Sequence, residues 1–430
     1  MAQMNDGPLT LPEGSARLRA FAILLGCALP IQVVGRGAIG VVVLAAFLCF
    51  LSMPGKSLYV KRAFGAARGP IGVMLLITLI FWLPNAFNSV DPVRSLEAAM
   101  RTFAFVGIGT LFWAVLIEHR GIQDLSLRAL VIASTLSVVI ALIAQTALPE
   151  LHWFLHFRGW ISLPLGTSLK PFSALAVLTV PAMILAGIRL KGVWTVLAVA
   201  NVVGFLALVW LTYNRATIAG LLGIIVLAAG LTAGFNRTRQ VKVAMAIATL
   251  AVFSAVLIWL NVTRQRHGFG DDWLFPLWLI DFQRQTIWNF AIELFQQNFW
   301  FGMGANTINF APGADAVIPR TFGLAIMPSH PHNWVLEVAA ETGIFGLFSL
   351  LVAVSLSLMQ YARGFFRTGN GAYFSAACMA AGYWASGLFN FSFWSSWWQV
   401  SFVLMTGFCL AQCFQPVGAD DTQRKIEALE

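Results

Sequence analysis

A polar segment in the last third of the chain carries residues suited to moving a proton. It reads SHPHNW over residues 329–334, and its two histidines are His330 and His332. Imidazole is the side chain best matched to proton transfer near neutral pH. His332 directly precedes Asn333 and an apolar run, which anchors it to a rigid element, and groups on rigid elements are positioned better than groups on loops. We therefore expect His332, rather than His330, to act as a base.

Two glutamates follow this segment at helical spacing. Glu337 and Glu341 lie four residues apart near the start of the apolar run, so they share one face of the helix expected there. An ionisable pair in a membrane needs a partner or a water-filled cavity. Either the pair holds helices together through an arginine or a tyrosine, or it supports the site beside His332. Both interpretations stay open at this point.

Two further polar segments each contribute an arginine. Residues 212–217 read TYNRAT and contain Arg215, while Arg284 opens the segment RQTIW, which the glycines of Gly302-Met303-Gly304 follow. An arginine at a helix end often only extends its charge to the interface, and one on an amphipathic helix often only faces water. The connection around Arg215 is so short, however, that its charge stays close to the bilayer, where charges are costly and tend to be functional.

The composition requires these segments to be positioned by membrane helices. Of the 430 residues, 59% are hydrophobic and 10% are charged, and the mean hydropathy is +0.78, whereas a soluble domain has roughly 25% charged residues. In lipid every backbone polar group must be paired, which leaves helices or closed barrels. Unalternating apolar runs of roughly 20 residues match helices that cross a core of about 30 Å. We predict an all-α polytopic membrane protein with a single integral membrane domain over residues 1–430.

About 12 transmembrane helices are expected, which puts both termini on one side of the membrane. The predicted spans lie near 18–36, 37–53, 70–88, 99–117, 128–148, 171–189, 193–212, 216–235, 243–261, 334–359, 373–391 and 396–415. One face then holds 17 of the 27 Lys and Arg residues, and four of the other ten lie in one long loop, where the positive-inside rule does not apply. The split of 17 to 6 in short loops predicts cytoplasmic termini. It also explains the net charge of +9 without nucleic-acid binding.

The long loop, residues 262–333, is expected on the side away from the cytoplasm. Within it, residues 282–299 place four apolar side chains at helical spacing, which predicts an amphipathic helix across the mouth of the bundle. These side chains are Ile287, Phe290, Ala291 and Leu294. All five cysteines lie in apolar runs with no histidine or carboxylate cluster beside them, so neither a disulfide nor a metal site is expected.

The three polar segments, in this order around a large outer loop, resemble the shared domain of O-antigen ligases and Wzy-type O-antigen polymerases. The matching elements are Thr212 to Arg215, then Arg284 with Trp288, Gly302 and Gly304, then His332-Asn333 with Glu341, Gly343 and Gly346. The resemblance covers roughly residues 195–360, which form the expected core region. Tyr213-Asn214 departs from the pattern, since the family often has a small or hydroxyl residue before the arginine.

The resemblance implies a glycosyltransferase of the bacterial inner membrane, with a periplasmic site and no cofactor. Its donor is a glycan on undecaprenyl pyrophosphate, and Arg215 and Arg284 are expected to bind the pyrophosphate, because a guanidinium binds phosphate oxygens in bidentate fashion and stabilises leaving-group charge. His332 would take the proton of the acceptor hydroxyl during an inverting displacement, supported by Asn333, Glu337 and Glu341. The weaker candidates for the anion are Arg264, Arg266, Arg320, Arg101 and Lys170.

A metal is not expected, because Asp271-Asp272 is the only acidic doublet in the outer loop and no further outer carboxylates flank it at useful spacing. The leading hypothesis is an O-antigen ligase that joins polysaccharide to lipid A–core, favoured by the compact chain with one dominant outer loop. An O-antigen polymerase or an O-linked protein oligosaccharyltransferase uses the same donor chemistry, and the motifs do not separate them. A transporter of lipid-linked anionic glycans predicts charges at mid-span, whereas most ionisable residues here lie at span ends.

Overall fold

The chain folds into α-helices joined by short connections and one longer irregular segment. The computed structural model describes residues 15–156, 165–266, 280–318, 323–389 and 391–413. Within these ranges the α-helices are α1 (Ala16–Cys27), α2 (Ala38–Leu51), α3 (Lys56–Ala67), α4 (Pro70–Trp82), α5 (Pro92–Glu118), α6 (Gly121–Thr146), α7 (Pro149–Leu155), α8 (Leu165–Ala174), α9 (Ala176–Leu190), α10 (Val193–Leu211), α11 (Arg215–Gly234), α12 (Arg239–Arg266), α13 (Phe282–Gln297), α14 (Trp334–Thr368), α15 (Gly371–Gly387) and α16 (Ser396–Ala411). The described part contains no β-strand beyond one isolated bridge, Val317 to Ala325. The all-α class is therefore confirmed for this part of the chain.

Seven of the described helices are long and apolar enough to cross a membrane, and nine spans result if two bent helix pairs count as one span each. The bent pairs are α2 with α3, at 119°, and α8 with α9, at 47°. Every one of the twelve predicted segments contains a helix, but α1, α15 and α16 have only 12, 17 and 16 residues. A helix rises 1.5 Å per residue, so these three are too short to cross about 30 Å unaided. The count of twelve stays a prediction.

Polar caps begin the helices that carry the predicted site residues. The Asn214 side chain accepts a hydrogen bond from the Thr217 N–H at the start of α11, and the Asn333 side chain accepts from the Val335 and Leu336 N–H groups at the start of α14. Asp281 caps α13 in the same way. A side-chain oxygen at this position satisfies an N–H group that has no partner within the helix. Each cap therefore fixes where its helix begins and where the adjoining polar residues lie.

Helices α11, α14 and α15 share one end of the bundle. Gly220, near the start of α11, lies against Gly382 and Ser386, near the end of α15. At the opposite end the rings of Phe235 and Phe365 lie 5.0 Å apart, just beyond α11 and near the end of α14. Helices α11 and α14 are thus parallel to each other and antiparallel to α15. We call the end where α11 and α14 begin and α15 ends the site end.

The predicted amphipathic helix forms α13 and covers part of this end. Its buried residues include Ile287, Ala291 and Leu294, three of the four predicted apolar positions, and Phe290 is partly buried. They pack into a hydrophobic cluster with the irregular segment that follows α13, through Met303, Ile308, Ala311, Ala314 and Met327. Burial of this apolar face holds α13 on the bundle and brings its polar residues to the same end.

Candidate functional site

The histidine segment forms a tight turn directly before α14. His332 has a φ of +53°, in the left-handed region that residues other than glycine rarely adopt. Its backbone N–H donates to Nδ1 of His330 over 3.1 Å, and the centres of the two imidazole rings lie 4.3 Å apart. Asn333 follows as the cap of α14. The hydrogen bond and the cap therefore hold the backbone of this segment in one tight turn.

Helix α13, which carries Arg284, contacts this turn through Trp288. The indole Nε1 of Trp288, which is buried, donates to the Pro331 carbonyl over 2.9 Å. Arg284 lies one helical turn earlier, on the same face of α13 as Trp288. Its side chain is 28% exposed, and its Nε lies 3.8 Å from a carboxyl oxygen of Asp281. A guanidinium with one distant acidic neighbour retains N–H donors for an anion. Trp288 thus contacts the histidine turn directly, and Arg284 lies one helical turn away from Trp288 on α13.

Arg215 is the first residue of α11, and its side chain is exposed at the site end. The preceding Tyr213 has a φ of +48° and is 77% exposed. Asn214 turns inward instead, where its amide donates to the carbonyl of Lys170 over 2.9 Å and to Oγ of Ser173 over 3.0 Å. The unusual Tyr-Asn pair therefore makes the turn that holds Arg215 beside α8. It also brings the backbone of Lys170, a weaker candidate, to the same end.

The two glutamates have hydrogen-bond partners in neighbouring segments of the fold. Both are fully buried in α14. Glu337 accepts from Oγ of Ser392 over 2.5 Å and from the Phe393 N–H over 2.6 Å. Its carboxyl group thus fastens α14 to the segment between α15 and α16. Neither an arginine nor a tyrosine is among these partners.

Glu341 organises the irregular segment after α13. Its two carboxyl oxygens accept from the backbone N–H groups of Asn306 and Ile308, each over 2.8 Å, and from the indole N–H of Trp394. Its backbone carbonyl accepts from the Asn85 amide over 3.1 Å. Since buried polar groups need partners, these bonds fix the path of the segment against α14. Both carboxyl groups thus bind backbone N–H groups and side chains of neighbouring segments, and their support of the site stays a prediction.

The glycines of the second and third polar segments meet each other. Gly302 has a φ of +74°, and a Cβ added to it would lie 2.3 Å from the Glu341 carbonyl carbon. Gly343 has a φ of +67°, interrupts the regular helix of α14, and a Cβ there would lie 2.4 Å from the carbonyl carbon of Trp300. Backbone hydrogen bonds join these two segments; in one of them the Met303 N–H donates to the Ala340 carbonyl over 3.1 Å. We call this contact the glycine clasp; it requires residues without a Cβ.

The remaining candidates divide into one with a structural role and others that the structure does not describe. Arg101 donates to the Trp394 carbonyl over 3.1 Å and pairs with Glu97, so its guanidinium is engaged within the fold. The side chains of Arg264 and Arg266, at the end of α12, lie outside the described residues. Arg320, Asp271 and Asp272 also lie outside the described residues.

Arg94 is a residue at this end that sequence reasoning did not single out. Its Nε donates to the Asn306 carbonyl over 2.7 Å, and its guanidinium lies over the Phe310 ring at 4.9 Å. It therefore contacts the same segment that Glu341 organises. The sequence feature that could have drawn attention to Arg94 was its position three residues after Asp91, which caps α5. Nothing in its spacing linked it to residues more than two hundred positions away.

Burial lowers the basicity of two histidines near the predicted site. The pKa of His330 is lowered to about 3, first by burial and then by the neighbouring His332. The pKa of His152, whose Nε2 lies 2.6 Å from Oγ of Ser168 in α8, is lowered to about 4, first by burial and then by His156. Both rings are therefore neutral at neutral pH. Among the described residues, no group of three His, Cys, Asp or Glu side chains is arranged to hold a metal ion.

The apolar helices indicate a membrane protein, and the elements that carry Arg215, Arg284 and His332 meet at its site end. Residues 199–351, just over a third of the chain, match the family model Wzy_C, described as O-antigen ligase. This match confirms, over this part of the chain, the resemblance to the O-antigen ligase family that the three polar segments carry. The match begins in α10, ends in α14 and contains Arg215, Arg284 and His332. No curated protein matches the chain.

Proposed function

We propose that the protein is an O-antigen ligase, which transfers polysaccharide from undecaprenyl pyrophosphate to a hydroxyl of lipid A–core on the periplasmic side of the bacterial inner membrane. The observation that carries the proposal is that Arg215, Arg284 and His332 come from three separate elements within the O-antigen ligase match and lie at one end of the bundle. Residues 195–360 are the core of this activity, and the loop 262–333 faces the periplasm with both termini in the cytoplasm.

The donor has a pyrophosphate at the membrane surface and a lipid tail in the bilayer. Arg215 and Arg284 bind its phosphate oxygens through planar, bidentate contacts and stabilise the negative charge that develops as the bond between the anomeric carbon and the pyrophosphate oxygen breaks. Lys170, whose backbone carbonyl accepts from the Asn214 amide, adds to the positive charge at this end. No metal or other cofactor takes part in this account.

His332 acts as the general base. The acceptor hydroxyl attacks the anomeric carbon from the face opposite the leaving group, a new C–O bond forms, and the hydroxyl proton passes to the imidazole of His332. Undecaprenyl pyrophosphate leaves with the electron pair of the broken bond, and the anomeric configuration inverts. His330 is unsuited to this step because its ring accepts a backbone hydrogen bond and its pKa of about 3 makes it a weak base.

The lipopolysaccharide profile of a deletion strain tests the proposal. Deleting the gene should remove all polymer from lipid A–core while polymer accumulates on undecaprenyl pyrophosphate, and the wild-type gene should restore the linkage. A core that carries a single repeat unit would instead identify a polymerase. Loss of glycan from periplasmic proteins, with normal lipopolysaccharide, would identify an oligosaccharyltransferase.

A reconstituted reaction separates catalysis from transport. The purified protein in proteoliposomes, supplied with polymer on undecaprenyl pyrophosphate and with lipid A–core, should form the linked product without any other protein. The His332→Ala variant, at the same protein level, should form none above background while still retaining the donor. Movement of the donor across the bilayer without product would contradict the proposal and indicate a transporter.

A further inference from the structure

We propose that His330 is a positioning residue, whose Nδ1 holds the backbone turn that presents His332 to the acceptor hydroxyl. This inference rests on the proposed function, in which His332 is the base. It assigns a separate role to the neighbouring histidine. The carrying observation is the hydrogen bond from the His332 N–H to Nδ1 of His330, over 3.1 Å.

The backbone of His332 needs such a bond. A residue with a side chain at a φ of +53° is strained, and this conformation persists only where its surroundings over-determine it. The flanking residues are fixed on both sides: Trp288 holds the Pro331 carbonyl and Asn333 caps α14. The bond from His330 is the contact that acts on the peptide N–H of His332 itself.

The bond also decides which nitrogen of His330 carries its proton. An N–H donor requires an unprotonated acceptor, so Nδ1 of His330 carries no hydrogen and the neutral ring carries its hydrogen on Nε2. The ring centres lie only 4.3 Å apart. Because His330 is neutral, it does not repel the positive charge that His332 acquires when it takes the acceptor proton. One histidine keeps the geometry while the other moves the proton.

The geometry resembles a turn that asparagine makes. In such a turn the side-chain oxygen of asparagine accepts from the backbone N–H two residues later, which is the relation between His330 and His332. Asparagine at position 330 can thus replace the acceptor, but it cannot accept a proton from a substrate. Glutamine carries its oxygen one bond further from the backbone and does not reproduce this turn. Comparing the asparagine and glutamine variants therefore distinguishes a positioning role of His330 from a role in proton transfer.

The test compares His330→Asn, His330→Gln and His330→Ala in the reconstituted transfer reaction, with His332→Ala as reference. We expect His330→Asn to keep kcat within about threefold of wild type. We expect His330→Gln and His330→Ala to lower kcat by about 10- to 100-fold, since a misplaced base costs on this order. The KM for the donor should stay unchanged in all three, because His330 does not bind it.

Each outcome decides between alternatives. If His330→Asn were as inactive as His332→Ala, His330 would be taking part in proton transfer and the positioning role would be overturned. Wild-type kcat in both His330→Gln and His330→Ala would also overturn it. If the alanine variant does not fold, the asparagine and glutamine variants decide alone, and equal kcat values for the two would refute the role. A wild-type protein without transfer activity would instead overturn the proposed function, and the role of His330 with it.

Discussion

Arg215 and Arg284 reach the site end from different helices, and each is positioned by a capping residue. Asn214 fixes the start of α11 beside α8, while Asp281 caps α13 and lies near the guanidinium of Arg284. For anion binding, the decisive property of the arginine side chain is its planar guanidinium with several N–H donors, which a lysine of the same charge lacks. A variant that keeps charge and removes the guanidinium therefore tests the anion-binding role.

Replacing either arginine by lysine should impair transfer severely. We expect Arg215→Lys and Arg284→Lys each to lower the rate by about 10²-fold or more, as the loss of a group that stabilises developing charge does. The rate of product formation in proteoliposomes measures the effect. Arg237→Lys is the matched control, because Arg237 is exposed at the opposite end of α11. Wild-type rates in both site variants would reduce these arginines to interfacial anchors.

The pH dependence of transfer should belong to His332 and not to His330. A base must be neutral to accept a proton, and imidazoles ordinarily change charge between about pH 5 and 8, so the rate should rise with pH across this window. The pKa of His330, lowered to about 3, lies below this window, so that ring does not titrate within it. Initial rates between pH 5 and 8 measure the profile. A midpoint that moves when His330 becomes asparagine would contradict this assignment.

The glycine clasp is the feature that joins two elements of the family pattern. It packs the backbone after α13 onto the break in α14, and the carboxyl group of Glu341 then holds the following residues in place. The Gly-x-Gly and Glu-x-Gly spacings are thus two halves of a single contact. The clasp therefore fixes the segment after α13 against α14.

Adding a methyl group to the clasp should destabilise the protein. In Gly302→Ala the new Cβ would lie 2.3 Å from the Glu341 carbonyl carbon and the residue would keep a positive φ, so we expect a loss of about 2 kcal/mol or more in the free energy of unfolding. Thermal unfolding in detergent measures it. Gly230→Ala in α11 is the control, since a Cβ there has no neighbour within 4 Å. Equal stability of the two variants would refute the clasp.

Removing one accepting oxygen from Glu341 should have a similar effect. Glutamine has a single accepting oxygen, and its amide N–H₂ would face a backbone N–H of Asn306 or Ile308, leaving buried donors without partners. We expect Glu341→Gln to lower the melting temperature strongly. Glu97→Gln is the comparison, because Glu97 is exposed and forms only a helix-surface pair with Arg101. A melting temperature equal to that of the comparison variant would argue against this role for Glu341.

At the scale of the molecule, α14 links the two ends of the bundle. It runs for 35 residues from its Asn333 cap at the site end to its Gly369 cap at the other. At 1.5 Å per residue such a helix exceeds the thickness of the hydrocarbon core even with a break. We therefore expect residues before Asn333 and residues near Gly369 to lie on opposite sides of a membrane.

Reporter fusions should show this arrangement and its orientation. Fusions near Gly270 or Ala311 should give a periplasmic signal, and fusions near Arg239 or Gly369 a cytoplasmic one, because short loops on the second face hold 17 basic residues against 6. Paired phosphatase and fluorescent-protein reporters measure the two sides. Reversed signals at all four positions would move the site to the cytoplasm. That result would contradict the proposed function.

Local pattern predicted most of the helices and the polar segments between them, but not α3 or α7, which lie between the predicted spans. Apolar runs predicted where helices form, and α13 forms at Phe282–Gln297, where the spacing of four apolar side chains indicated it. The family resemblance was also local, since three short segments in order carried it, and the match over residues 199–351 confirmed it. The number of spans did not follow from local pattern, because some apolar runs form bent or short helices that do not each cross a membrane as one straight helix.

Tertiary structure decided what the individual polar residues do. Spacing could not assign partners to Glu341, whose carboxyl group binds N–H groups 33 and 35 residues earlier and an indole 53 residues later. Nor could it show that the Arg101 guanidinium binds the carbonyl of Trp394, or that His330 accepts the His332 N–H. Hydrogen bonds act over about 3 Å of space whatever the separation along the chain. Residue type and helical period determine which groups are available, and only the packing of helices determines which of them meet.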